Sequence, residues 1–349
     1  MRISILFLIC FLAPLFSYAN WVTDQIREDL SPFEAEGISR TAICDLAQQL
    51  PWDHQLVLIK IRKDRVSFSL CIEESKIHPW TKARLDVVKQ FFKKLIRRYR
   101  LPDIDFLLSL HDSFEEDFNL PIFSFAKNRA ATHTTLFPDF EALSDPNALI
   151  HHCDQASTSH PWHLKQDKIF WRGTTTGGIY QIYNYLDFPR VKLVFLSSKN
   201  PLWLDAAFTS YCQSSQDMLN LIAAQSRPLE PYVCMEDHFS YKYLIDIDGN
   251  SCTYSRCRWI LLSNSTLLKP DSPNIQWYYK AMQPWTHYVP LRADLSDLPD
   301  AYAWLQSHEA QAQQIALSGQ HLGHLVFSEE AIEDYAVTLL CAYGTLQKK

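Results

Sequence analysis

Residues 168–178 read Lys168-Ile169-Phe170-Trp171-Arg172-Gly173-Thr174-Thr175-Thr176-Gly177-Gly178, and they hold three of the chain's eight glycines. A short apolar strand runs into a glycine loop. Glycines let backbone N–H groups approach an anion, threonine hydroxyls add donors, and Arg172 can grip a phosphate bidentately. The loop is no P-loop, because Gly173-x4-Gly178 is followed by Ile179 where Lys and Ser/Thr are required. It also lacks the G-x-G-x-x-G dinucleotide spacing. A tight turn with a structural arginine competes with the anion loop, and these residues alone leave both open.

From Lys168 onward the pattern alternates. Strands are expected at Lys168–Trp171, Val191–Leu196, Tyr243–Ile247, Thr266–Leu268 and His287–Pro290, with helices at Ser215–Ala224 and Arg256–Leu262. Such alternation predicts an α/β fold with a parallel sheet. Leu298–Ser318 and Ser328–Leu346 are helical by pattern. In the front half, residues 20–50 look like short helical pieces, Gln55–Ile61 and Arg65–Ile72 like paired strands, and Lys82–Arg100 like a long helix. Strands are expected at Ile104–Leu110, which ends in His111-Asp112-Ser113, and at Pro121–Ala126. Residues 128–165 look like a long irregular connection.

The chain has 349 residues, 47% of them apolar, and a formal net charge of −6. That length suits about two domains at ~100–200 residues each, and general disorder is excluded. The acidic balance argues against a dedicated nucleic-acid binder. Met1-Arg2, the apolar run Ile3–Phe16 and Ser17-Tyr18-Ala19 describe a secretory signal peptide over residues 1–19, with an uncleaved leader or a buried strand as the alternative. Of nine cysteines, Cys10 lies in that leader, and the pairing of the rest is left open. Lys82, Arg84, Lys89, Lys93, Lys94, Arg97 and Arg98 share one face of the long helix. They suit either a peripheral contact with anionic lipid or a solvated surface.

In open α/β sheets ligands bind outside the carboxyl ends of the strands. Asp112, the 173–178 loop and the 249–256 loop all fall there. Asp112 can act as general base for a hydroxyl, or simply cap a helix. Asp246-Ile247-Asp248-Gly249-Asn250-Ser251 ends a strand and Ser255-Arg256 begins a helix, so Arg256 and Ser251 can meet a diphosphate. Asp246 and Asp248 can instead hold a divalent metal on a nucleotide, or serve a turn. His151-His152-Cys153-Asp154 lacks zinc spacing, and no metal site is expected. No G-x-S-x-G or H-E-x-x-H motif occurs.

Several spaced motifs resemble the family 90 glycosyltransferases, the group with fungal capsule-associated proteins, animal protein O-glucosyltransferases and bacterial lipopolysaccharide-modifying proteins. They are HDSFEEDFNLPIFSFAKN from residue 111, KIFWRGTTTGG from 168, YKYLIDIDGNSCTYSRCRWILLSNSTLLK from 241 and WYYKAMQPWTHYVPLRADLSDL from 277. The resemblance implies a GT-B-like fold, two Rossmann-like domains facing a cleft. The corresponding division is an acceptor-side domain over residues 20–164, a nucleotide-sugar domain over 165–322 and a helical tail over 323–349.

It also implies a UDP-sugar donor, inversion, no required cofactor or metal, and a glycan, lipopolysaccharide or protein acceptor. Asp112 falls on the catalytic-base position. Arg172, Gly173 and Thr174 fall on the Trp-Arg-Gly-Ser/Thr phosphate motif, and Arg256 on the second diphosphate arginine. Ser251 aligns less securely. Asn264 stands where the family carries glycine. Aromatic residues around 277–288, with His287, suit either a sugar-binding wall or a packed core. The rivals are a metal-dependent GT-A-type transferase using Asp246 and Asp248, and an inactive glycan- or partner-binding relative. The leader implies the secretory pathway, or the cytoplasmic face of a membrane if it is retained.

Overall fold

The computed structural model describes residues 21–49, 55–71, 77–114, 116 and 118–348. The expected leader and Cys10 lie outside the described residues. The chain forms two compact units: one takes the residues up to Ser144, Ile275–Ala281 and those from Glu329 on, the other Asp145–Asn274 and Met282–Ser328. The second unit thus begins ahead of residue 165, and the C-terminal helix joins the first.

In the first unit, residues 21–30 (α1) and Arg40–Gln49 (α2) are the short helices expected there. Strands β1 (Leu56–Arg62) and β2 (Arg65–Leu70) form the expected antiparallel hairpin. The long helix α3 covers Pro79–Arg98 and starts a turn early because Pro79 sits in its first turn. Its Leu85, Val88, Phe92 and Leu95 are buried at helical spacing. Strands β3 (Ile104–Ser109), β4 (Ile122–Ser124) and β5 (Thr134–Leu136) complete a mixed sheet of order β2-β1-β3-β4-β5, the last three parallel. The C-terminal helix Glu329–Leu346 buries Tyr335, Leu339, Leu340 and Tyr343 in this unit.

The second unit starts with helix α4 (Pro146–Ser159), which corrects the irregular connection expected over 128–165. Asp145 caps it by accepting from the Ala148 N–H at 3.0 Å, and Pro146 opens its first turn. Strand β6 (Gln166–Thr174) follows, then helix α5 (Pro189–Lys199), strand β7 (Leu204–Ser210), helix α6 (Gln216–Gln225) and strand β8 (Tyr241–Ile245). Val191–Leu196 is therefore helix, not strand. A short apolar run fits either state, and Pro189 decides for a helix start. Helix α7 (Tyr254–Leu262), strands β9 (Thr266–Pro270) and β10 (Val289–Leu291), and helices α8 (Leu298–Ser307) and α9 (Glu309–Phe327) end the unit.

The five strands are all parallel, in the order β10-β9-β8-β6-β7. The chain builds outward from β6 to β7, then crosses back to lay β8 on the other side of β6. The edges of β6 and β8 are therefore a topological switch point, where the crevice for a ligand opens beyond the strand ends. Ile169, Trp171, Val194, Phe208, Tyr243, Ile245 and Leu268 pack the core beneath it. Among the described residues no helix is long and apolar enough to cross a membrane.

Candidate functional site

Arg172, Gly173 and Thr174 are the last residues of β6 rather than part of the loop. Arg172 turns toward β7: it pairs with Asp205 at 2.9 Å, donates to the Asp205 and Trp171 carbonyls at 3.0 Å, and lies 4.3 Å over the Phe170 ring. Asp205 also pairs with Arg227 at 2.7 Å. Gly173 has no room for a side chain, since a Cβ there would meet the Trp171 ring at 2.4 Å. Gly177 and Gly178 have φ of +124° and +137°, which side-chain-bearing residues rarely adopt.

Arg256 stands in the first turn of α7, just past the end of β8. It donates to the Arg172 carbonyl at 2.6 Å, and its guanidinium lies 5.8 Å from each of the Trp171 and Trp259 rings. No carboxylate reaches it within ion-pair distance among the described residues. Burial pushes its pKa down to about 10, the Arg190 charge adds to that, and Asp246 and Tyr232 oppose it. Thr253, at the N-cap of α7, spends its hydroxyl on Asp246 and makes no cap bond. The positive end of the helix dipole and an arginine without a counterion thus share one strand end.

Sequence reasoning missed Arg190. It is buried in the first turn of α5 and donates to the Asp248 carbonyl at 2.8 Å, Thr174 at 3.0 Å and Ile247 at 3.1 Å, and to the Thr176 hydroxyl. A charged residue inside the apolar run Phe188–Leu196 was the available signal. Beside it a cavity of about 210 Å³ opens, lined by Thr176, Asp248, Gly249, Ser272 and Asn274 among others. His238 was missed as well. Its ring contacts Phe170 and Trp259 at 5.0 and 5.1 Å, and burial, then Arg256 and Arg172, push its pKa down to about 4.

The carboxylates offered to a metal are engaged internally. Asp246 pairs with Lys269 at 2.9 Å and accepts from Thr253, while Asp248 accepts from Ser272 at 2.6 Å and Asn274 at 3.2 Å. Burial works against the Lys269 ammonium, yet Asp246 raises its pKa well above the ordinary value. The Ser251 hydroxyl is buried without a hydrogen-bond partner, and the Ser251 carbonyl accepts from the Gly249 N–H at 2.9 Å. His287 lies on the loop before β10, where its Nδ1 accepts from the Gln283 N–H at 3.0 Å. Of the proposed sugar wall, Trp277 and Tyr278 are fully buried in the first unit, with Trp277 packed 4.9 Å from Tyr335.

Asp112 belongs to the first unit, at the carboxyl end of β3. Arg84 of α3 donates to its Oδ1 at 2.6 Å and to the Leu110 carbonyl at 2.7 Å. The Arg84 guanidinium lies 4.6 Å from the Trp80 ring and 4.1 Å from Phe140, which fixes its direction. Lys94 and Arg98, two other members of the basic face, meet Glu333 of the C-terminal helix at 3.0 and 2.9 Å. Part of that face is therefore internal pairing.

The description of glycosyl transferase family 90 matches residues 18–349. The chain belongs to that family. It is 29% identical over 334 residues to protein O-glucosyltransferase 2 of Danio rerio, covering 93% of this chain and 62% of the relative. Protein O-glucosyltransferase 1 of Homo sapiens is 24% identical over 337 residues, covering 91% of this chain and 78% of the relative. The chain thus spans about three fifths of the length of the zebrafish relative. The crystal structure of TarM covers 52% of the chain and 36% of its own, at 12% identity and a TM-score of 0.37, too slight to fix an architecture. Asn264, where family 90 usually carries glycine, donates to the carbonyls of Ser157 at 3.1 Å and His160 at 3.0 Å, tying the loop after α7 to the end of α4.

Proposed function

We propose that this chain transfers a sugar, glucose or xylose, from a UDP-sugar to an acceptor hydroxyl with inversion at the anomeric carbon, on a GT-B-like pair of Rossmann-type halves. The observation that carries it is Arg256, beside Arg190 and without a carboxylate partner, at the switch point of a parallel sheet. A diphosphate supplies the missing negative charge. Arg172 reaches it only by releasing Asp205, so Arg256 is the primary contact. The names of the relatives favour glucose and a protein acceptor; glycan and lipopolysaccharide hydroxyls have the same chemistry.

In this mechanism the acceptor oxygen attacks the anomeric carbon as the bond to the UDP oxygen breaks. The electron pair leaves with UDP, and Asp112 takes the hydroxyl proton. Arg84 holds the receiving carboxylate in place. Charge on the departing diphosphate is met by Arg256 and by backbone N–H groups of the 173–178 loop. The mechanism uses no metal: both oxygens of Asp246 and Oδ2 of Asp248 are engaged by neighbouring side chains.

Calorimetric titration with UDP and hydrolysis of a panel of UDP-sugars test this reading. Arg256→Ala should weaken UDP binding on the order of 10–100-fold, the range for a lost charge-assisted hydrogen bond. Unchanged affinity would sink it. Activity that disappears with a chelator and returns with Mn²⁺ would instead support the GT-A-type rival, and UDP binding without turnover on any sugar the inactive relative.

A further inference from the structure

We propose that the hollow at the amino ends of β6 and β7 binds a small acidic sugar, a phosphorylated or carboxylated hexose, and that its occupant works against the donor through Asp205. The link to the donor rests on the reading above, while the hollow itself lies at the opposite end of the parallel sheet from Arg256. A cavity of about 500 Å³ opens there, lined by Lys168, Ser197, Ser198, Asp205, Ser226 and Arg227 among others, large enough for a hexose. Among the described residues no carboxylate pairs with Lys168, whose ammonium donates to the Pro201 carbonyl at 3.3 Å. The three serine hydroxyls already donate to the carbonyls of Leu204, Val194 and Arg227. Lys168 and Arg227 are therefore the donors left for an anionic group. The carboxyl ends of α5 and α6 border the same hollow. Helix ends of this sign disfavour a bare phosphate and offer carbonyls to hydroxyl donors. A ligand that carries both an acid and hydroxyls suits the two kinds of wall, which selects an acidic sugar over a free anion.

Asp205 joins this hollow to the donor side. Its Oδ1 accepts from both Arg172 Nη2 at 2.9 Å and Arg227 Nη1 at 2.7 Å. Arg227 also pairs with Glu230 at 2.6 Å. Two guanidinium groups thus share one oxygen, and a change at one alters the hold on the other. An acid bound at Arg227 draws that guanidinium from Asp205, and Asp205 then holds Arg172 more firmly. Arg172 must leave Asp205 to reach a diphosphate, so UDP binds less tightly. Linkage makes the effect mutual: UDP, by taking Arg172, returns Asp205 to Arg227 and weakens the acidic sugar.

Calorimetric titration tests the site and the link separately, with glucose 6-phosphate, glucuronate, glucose and inorganic phosphate as probes. One of the two acidic sugars should bind the wild type, and glucose and phosphate at least about tenfold more weakly. Which acid binds more tightly tells phosphate from carboxylate. Lys168→Gln should cut that affinity at least about tenfold, and Arg256→Ala should leave it within about twofold. No binding of either acid, or affinity that survives Lys168→Gln, would overturn the site. Loss in Arg256→Ala alone would place the acid at the donor loops instead, and equal binding of glucose or phosphate would overturn the ligand class. A saturating acid should lower UDP affinity at least about fivefold, to a limit that more acid does not pass, with uridine unchanged within about twofold. In Arg227→Gln, where Asp205 is left to Arg172, UDP should bind as weakly without the acid as the wild type does with it. No change in UDP affinity, or the unlimited fall of direct competition, would overturn the link. Should Lys168→Gln fail to fold, Arg227→Gln takes its place in the acid titration. A wild type that binds the acid but never UDP would refute the donor reading and leave the hollow standing.

Discussion

Asp112 and its arginine set the expected chemistry at the scale of single residues. Asp112→Asn keeps an oxygen for Arg84 but removes the charge proposed to accept the acceptor's proton. Transfer should fall by about 10²–10⁴-fold. UDP affinity should be unchanged, because Arg256 lies in the other unit; undiminished transfer would remove Asp112 from the mechanism. His238 offers a second expectation, in stability. Its pKa is held near 4 against an ordinary 6.5 by burial and by Arg256 and Arg172, so the folded state keeps the imidazole neutral. Between those values the unfolded chain binds a proton that the folded chain does not, and stability falls as the pH drops through the window. From pH 7 to pH 5 the loss from this group is about 2 kcal/mol. Urea midpoints at the two pH values should show a smaller difference in His238→Leu than in the wild type; an equal difference would mean the ring is solvated.

At the scale of elements, the ends of β6 and β8 stood out because glycines, threonines and arginines cluster there in the sequence. The parallel sheet was legible from alternation. Val191–Leu196 was not, because apolar β-branched residues satisfy a buried helix face as readily as a strand, and only Pro189 signals the helix. Helix α4 was hidden by a polar, histidine-rich composition, although Asp145-Pro146 is a good helix start. Arg190 escaped because three of its four partners are backbone carbonyls, which no spacing rule records. The salt bridge of Arg172 to Asp205 was equally invisible, since a residue on β7 had to be brought beside β6.

At the scale of the whole molecule, the first unit depends on the far end of the chain. Tyr343 donates to the Asp105 carbonyl at 2.8 Å and Tyr335 to that of Leu136 at 3.3 Å, while Leu339 and Leu340 are fully buried. Each large buried side chain contributes about 1.5–3 kcal/mol, and domains are stable by only about 5–15 kcal/mol in total. A chain ending at Ser328 should therefore lose hydrogen-exchange protection in β1 and β3. Amides of β8 and β9, in the unit that Ser328 completes, should stay protected. Retained protection in β1 and β3 would show that the last helix is dispensable.

That dependence sets an order of events during synthesis. A ribosome releases α3 and β3 long before the helix Glu329–Leu346 that bonds to them, so the earlier-made unit is the later to close. The parallel sheet of the second unit can mature first, and a nascent chain exposes apolar surface of the first unit until the helix Glu329–Leu346 has left the ribosome.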